Sequence, residues 1–79
     1  MKVLFFAQAR QTTGCSDYLL QADSPLSLDQ FWAHLVTTFP SLASLQKSTR
    51  LARNETYLQT DELLYPDDEI ALIPPVSGG

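Results

Sequence analysis

The chain reads as an α+β domain in which a mixed sheet is covered by one main helix. Three observations carry that reading: an apolar run near the start, a second near the end, and one helix-periodic stripe between them. The two runs, Val3-Leu4-Phe5-Phe6-Ala7 and Ile70-Ala71-Leu72-Ile73, have strand length and no polar interruption. Continuity of that kind predicts strands in the middle of a sheet, buried on both faces. The 79 residues fill one domain. A chain of this size buries only roughly 60–65% of the surface its unfolded form exposes, so no deep private pocket is expected.

Taken in order, the first strand covers residues 3–7. Residues 12–16 (Thr-Thr-Gly-Cys-Ser) predict a turn in which Gly14 adopts a positive φ. Residues 17–22 return as a second strand antiparallel to the first. Ser27-Leu28-Asp29-Gln30 then fits a capping box, with Leu26 and Phe31 placed as a hydrophobic staple. Leu28, Phe31, Trp32, Leu35, Val36 and Phe39 recur on one helical face, and Pro40 ends the element. At this spacing the aromatic stripe is a core face, not a cofactor site. Ser41 is the expected cap of a short second helix over residues 42–46. Residues 50–54 and 56–58 read as short strands around a tight connection, residues 60–62 as polar loop, and Tyr65-Pro66-Asp67-Asp68 as a turn with Pro66 at its second position. The final strand follows from Glu69. Two hydrophobic strands that both need the sheet centre, set side by side and parallel with the helix on one face, give a β-grasp (ubiquitin-like) arrangement. Residues 1–75 form that domain and residues 76–79 a flexible Gly-Gly tail.

Charge and composition narrow the function. Nine acidic against five basic residues leave a net charge of −4, which lacks the basic footprint of a nucleic-acid binder. It suits either solubility or a partner with a positive docking surface. No run reaches membrane-span length and the start does not resemble a signal peptide, so no membrane partner and a cytoplasmic location are expected. Cys15 is the one cysteine, which excludes a disulfide framework or a multi-cysteine metal site.

The body offers no catalytic set of its own. His34 falls off the apolar stripe and reads as a solvated helix-surface residue. Cys15 has no base or cation nearby in sequence to activate it. Asp67-Asp68-Glu69 reads as a solvated turn, because three neighbouring carboxylates at a strand entry do not converge on one ion. No metal site is expected.

The end of the chain is different. Pro74 and Pro75 stop the last strand, since each lacks a backbone N–H and has φ near −65°. Val76, Ser77, Gly78 and Gly79 follow, and two glycines enter a channel that rejects bulkier residues. A Gly79 carboxylate that attacks the α-phosphate of ATP forms an acyl-adenylate. A sulfur nucleophile then displaces AMP and leaves a thiocarboxylate. Prolines upstream stiffen the segment and reduce the entropy lost on insertion.

Met-Lys-Val-Leu-Phe-Phe-Ala-Gln-Ala-Arg at the start and Asp-Glu-Ile-Ala-Leu-Ile-Pro-Pro-Val-Ser-Gly-Gly at the end resemble the small, sulfur-carrying subunit family of molybdopterin synthase. The resemblance covers the whole chain and includes Asn54. It implies adenylation of Gly79 by a ubiquitin-activating-like (E1-like) enzyme, then thiocarboxylation from a sulfur donor system. It further implies insertion of residues 74–79 into the synthase large subunit, with apolar surface around the sheet aiding recognition. There sulfur would pass to cyclic pyranopterin monophosphate to form the dithiolene, in a heterotetramer that consumes two carriers per product. The chain would be non-catalytic by itself, the sulfur-donating subunit of a sulfurtransferase. ATP would be consumed, with no cofactor permanently bound. Arg10 of the opening motif would lie at the end of strand one, either paired with a partner's acidic group or solvated. Pro66-Asp67 stands where the family commonly has Asp-Gly, and Leu72-Ile73 where it often has aromatics. A carrier for thiamine or tRNA thiolation, a ubiquitin-like modifier and an inert interaction domain are the alternatives.

Overall fold

The computed structural model describes residues 1–59 and 61–74. Its strands are β1 (Lys2–Phe5), β2 (Asp17–Leu19), β3 (Arg50–Arg53), β4 (Thr56–Tyr57) and β5 (Glu69–Ile73). They form one sheet in the order β2-β1-β5-β3-β4. β1 and β5 run parallel, with Val3 opposite Ile70 and Phe5 opposite Leu72. β3 lies antiparallel along the other edge of β5, with Leu51 opposite Leu72. The β-grasp arrangement expected from the two apolar runs is therefore the one adopted.

Helix α2 (Leu28–Thr38) crosses one face of the sheet. Its capping box is complete: the Gln30 N–H donates to Ser27 Oγ at 3.1 Å and the Ser27 N–H to Gln30 Oε1 at 2.9 Å. Two backbone donors at the helix start are thus satisfied reciprocally. Phe31, Trp32 and Leu35 are buried, and Leu28, Val36 and Phe39 pack at the margin of the same cluster. Phe39 caps the C-terminus and sets its ring edge-on to Phe5 (5.5 Å between centroids) and Tyr18 (5.2 Å). The short helix that follows is a 3₁₀ turn over Pro40–Leu45, and it buries Leu42. Ser41 is not its cap. Pro40, with φ already fixed, occupies the first position instead, where its missing N–H costs nothing.

The first strand departs from expectation. β1 ends at Phe5 and is buried on one face only: Val3 and Phe5 are inside, Leu4 is half-buried and Phe6 is 49% exposed. The remainder of the run turns into a second helix, α1 (Ala7–Thr13), where the sequence predicts no helix. Arg10 consequently sits in α1, exposed, and not at the end of a strand. Ala, Gln and Arg are strong helix formers, and only Ala9 of the seven residues is buried, so no apolar periodicity announces the element. Gly14 does take the positive φ expected, 73°, as the C-cap whose N–H donates to the Arg10 carbonyl at 2.9 Å. Ala7 pays for the abrupt turn out of β1 with a left-handed φ of 49°.

β3 and β4 are joined by Asn54 and Glu55, at φ 50° and 73°. Two left-handed residues in a two-residue loop match the twist of the flanking strands, and glycine is the residue most at ease there. A non-glycine residue at such a position costs about 1–2 kcal/mol, less for Asn. Arg53 then ties residues 62–68 to the sheet. It donates to the Leu63 carbonyl at 2.7 Å and to Glu62 Oε1, and lies 3.5 Å from Asp68 Oδ2. Asp68 also accepts from the Tyr65 N–H at 2.9 Å, closing the turn predicted at residues 65–68.

The core lies between sheet and helices. Val3, Phe5, Phe31, Leu35, Leu42, Leu64, Ile70 and Leu72 are its largest fully buried side chains. Leu72→Ala is expected to lower unfolding stability by about 2–5 kcal/mol, read as a shift in the urea midpoint. A shift no larger than that of an exposed residue would place the core elsewhere.

Candidate docking face and C-terminal site

Strand alternation that sends Val3, Phe5, Leu51, Ile70 and Leu72 into the core sends their neighbours to the opposite face. There the register aligns Leu4, Ala71, Ala52 and Tyr57 across four strands. A second row beside it holds Ile73 and Arg50, whose backbones are partners, with Phe6 on the β1 side. A third holds Lys2, paired in register with Glu69, and beyond it Asn54 and Glu55. Alanines in the middle of the first row leave a hollow of ≈ 330 Å³ lined by Leu4, Phe6, Ala52, Tyr57, Ala71 and Ile73, with Asn54, Glu55 and Glu69 at its margin. No described element covers it. Phe6 is 49% and Tyr57 47% exposed, an amount of aromatic surface that marks a contact surface in a small domain. The Arg50 guanidinium lies 3.9 Å from the centroid of the Tyr57 ring, a cation–π contact.

The same geometry fixes where the chain leaves the body. β1 and β5 are parallel, so β5 ends at the edge of the sheet where β1 turns into α1. Ile73 lines the hollow, and Pro74, which follows it, is buried. Of the predicted site residues, Pro74 and Arg10 are thus at one end of the sheet. Arg10 lines a shallow depression with Ala7, Gln11, Gly14, Cys15 and Ser16, on the helix α1 side. Pro75, Val76, Ser77, Gly78 and Gly79, and with them the tail boundary at residue 76, lie outside the described residues. His34 is exposed on α2, as its position off the stripe implies. Among the described residues no helix is long and apolar enough to cross a membrane.

Sequence reasoning expected an apolar surface around the sheet but did not name its residues. Reading the first strand as buried on both faces hid Leu4 and Phe6. The available signal was the helix count: one amphipathic stripe covers one face, so the other side of every strand stays open.

A five-stranded mixed sheet with parallel β1 and β5, one face covered by helix and the other open, defines a small ubiquitin-like β-grasp protein, here with a Gly-Gly segment in its sequence after the central strand. The chain belongs to the ThiS family, whose model matches residues 3–79. It is 40% identical to a molybdopterin synthase sulfur carrier subunit of Arabidopsis thaliana, over 100% of this chain and 82% of the relative. Among solved structures it is similar to SAMP1 from Haloferax volcanii (TM-score 0.84, 24% identity, 99% and 97% of the two chains). It also matches a chain of the complex of subunits 1 and 2 of molybdopterin-converting factor from Helicobacter pylori (TM-score 0.68, 23% identity, 99% and 96% covered). Both of these show the shared fold, and the resemblance read from the two ends of the chain is borne out by the relatives.

Because the sheet is one-sided, neighbouring phenylalanines should behave oppositely. Phe5→Ala is expected to cost about 3–5 kcal/mol, and Phe6→Ser no more than about 0.5 kcal/mol, in chemical denaturation. Similar losses at the two positions would mean that Phe6 is part of the core.

Proposed function

We infer that the chain is the sulfur carrier subunit of a molybdopterin synthase. The observation that carries this reading is the match, over the whole chain, to a curated sulfur carrier subunit at 40% identity. The Gly79 carboxylate attacks the α-phosphate of ATP in an E1-like enzyme, and pyrophosphate leaves. A sulfur donor then displaces AMP, so that one carboxylate oxygen is replaced by sulfur. The thiocarboxylate enters the large subunit, sulfur passes to cyclic pyranopterin monophosphate, and water returns Gly79 to the carboxylate. Two carriers serve each dithiolene, in a heterotetramer built on a large-subunit dimer and working in the cytoplasm.

The fold supports each requirement that falls on this chain. The segment that must enter another protein follows directly on β5, which is hydrogen-bonded along both edges. Pro74 and Pro75 narrow the directions in which the segment leaves, and Gly78-Gly79 carry no side chain to obstruct a channel. The open face supplies apolar area beside the exit, so the body docks while the tail inserts. Arg10 is exposed on α1 at the same end of the sheet, and in this reading it pairs with an acidic group of a partner.

Intact-mass measurement after incubation with ATP, a cognate activating enzyme and a sulfur source is expected to show one oxygen replaced by sulfur. Removal of Gly79 abolishes the change and leaves the fold intact. Gly78→Ala is expected to impair sulfur transfer far more than it changes the urea midpoint, because a methyl group is added in a close-fitting channel. An unchanged mass, with an activating enzyme competent on another carrier, would overturn the reading.

A further inference from the structure

We propose that Glu55 is a specificity-determining contact for the synthase large subunit, facing a lysine or arginine that the subunit brings to the open sheet face. The proposal rests on the carrier reading above and adds the residue that selects the partner. Glu55 stands in the left-handed region, at φ 73°, in a two-residue hairpin loop where glycine fits without strain. The fold gains nothing visible in return. Among the described residues the Glu55 side chain makes no hydrogen bond or ion pair. Strain retained without a structural return points to a role in binding.

Its surroundings say which kind of group it meets. The basic side chains near it are committed elsewhere: Arg53 to Glu62, Asp68 and the Leu63 carbonyl, and Arg50 to the Tyr57 ring. Lys2, on β1, is in register with Glu69 of β5. Glu55 is thus a carboxylate without an ion-pair partner among the described residues, at the margin of an apolar hollow formed by Leu4, Phe6, Ala52, Tyr57 and Ile73. A protein that covers this hollow takes the carboxylate partly out of water, which favours a partner presenting apolar side chains flanked by a cation. A second copy of this chain is a poor fit, because a net charge of −4 meets itself and Glu55 and Glu69 edge the same hollow. The large subunit is the better one. Ile73 both lines the hollow and precedes the exit of the chain, so the protein that receives the tail also lies over this face.

The test is the affinity of the intact carrier for the large subunit of the synthase, by calorimetry at two salt concentrations, with the melting midpoint of each variant. Glu55→Gln is expected to bind about three- to tenfold more weakly at low salt, with the gap closing as salt rises, and to melt at an unchanged temperature. Glu55→Gly is expected to bind as weakly as Glu55→Gln while melting higher, by up to roughly 4–8 °C. Unaltered affinity and salt dependence in Glu55→Gln would overturn the proposal, as would a loss confined to the activating enzyme. A lower melting point for Glu55→Gly would overturn it too, by showing that Glu55 serves the fold. Absence of binding by the unaltered chain would instead overturn the carrier reading itself.

Discussion

Pairing of β5 with β1 on one edge and β3 on the other is the constraint on which the rest of the molecule depends. The first and last strands of the chain meet in parallel, with Lys2 opposite Glu69 and Phe5 opposite Leu72. Such a pair cannot be joined by a tight turn and needs a crossover long enough to pass over the sheet. The 63 residues between Phe5 and Glu69 supply it, and α2 is the part that lands on the sheet. Ile70 and Leu72 then reach a core closed by Phe31 and Leu35, all fully buried. Because β5 is held on both edges, whatever follows Pro74 starts from the best-anchored strand in the domain.

The second consequence is asymmetry. One layer of helix on one sheet buries only one face, and among the described residues nothing covers the other. The uncovered face is not simply polar. Leu4, Ala52, Ala71 and Ile73 form an apolar centre, with Tyr57 and Phe6 as its walls. Evolution commonly removes surface of this kind from free-standing domains, because it promotes association. Its retention beside the exit of the tail is intelligible if a partner covers both together.

Three backbone sites share this region in a way the hydrophobic core does not require. Ala7, Asn54 and Glu55 are the non-glycine residues at positive φ among those described, and Phe6, Asn54 and Glu55 border the same hollow. The turn at Ala7 stops β1 and leaves the Phe6 ring at the surface. The turn at Asn54 and Glu55 brings a carboxylate to the opposite margin. Local strain concentrated around a contact surface is what a pre-shaped docking site entails.

Much of this was written in the sequence, and the division has a physical basis. Local signals determined the capping box at Ser27 and Gln30, the stripe from Leu28 to Phe39, the stop at Pro40, the left-handed Gly14 and the central placement of β5. Each depends on contacts a few residues apart or on a hydrophobic run with one sensible destination. The Gly-Gly ending and the Pro-Pro before it also spoke from sequence alone, since their chemistry needs no fold to be recognised. Tertiary structure decided the rest. Helix α1 buries only Ala9, so its seven residues carry no periodicity, and Arg10 was displaced with it from strand to helix. The open face was invisible because an apolar residue facing a helix and one facing water look alike in a strand. Only the position of the single covering layer, which many distant contacts set together, separates Leu4 and Phe6 from Val3 and Phe5.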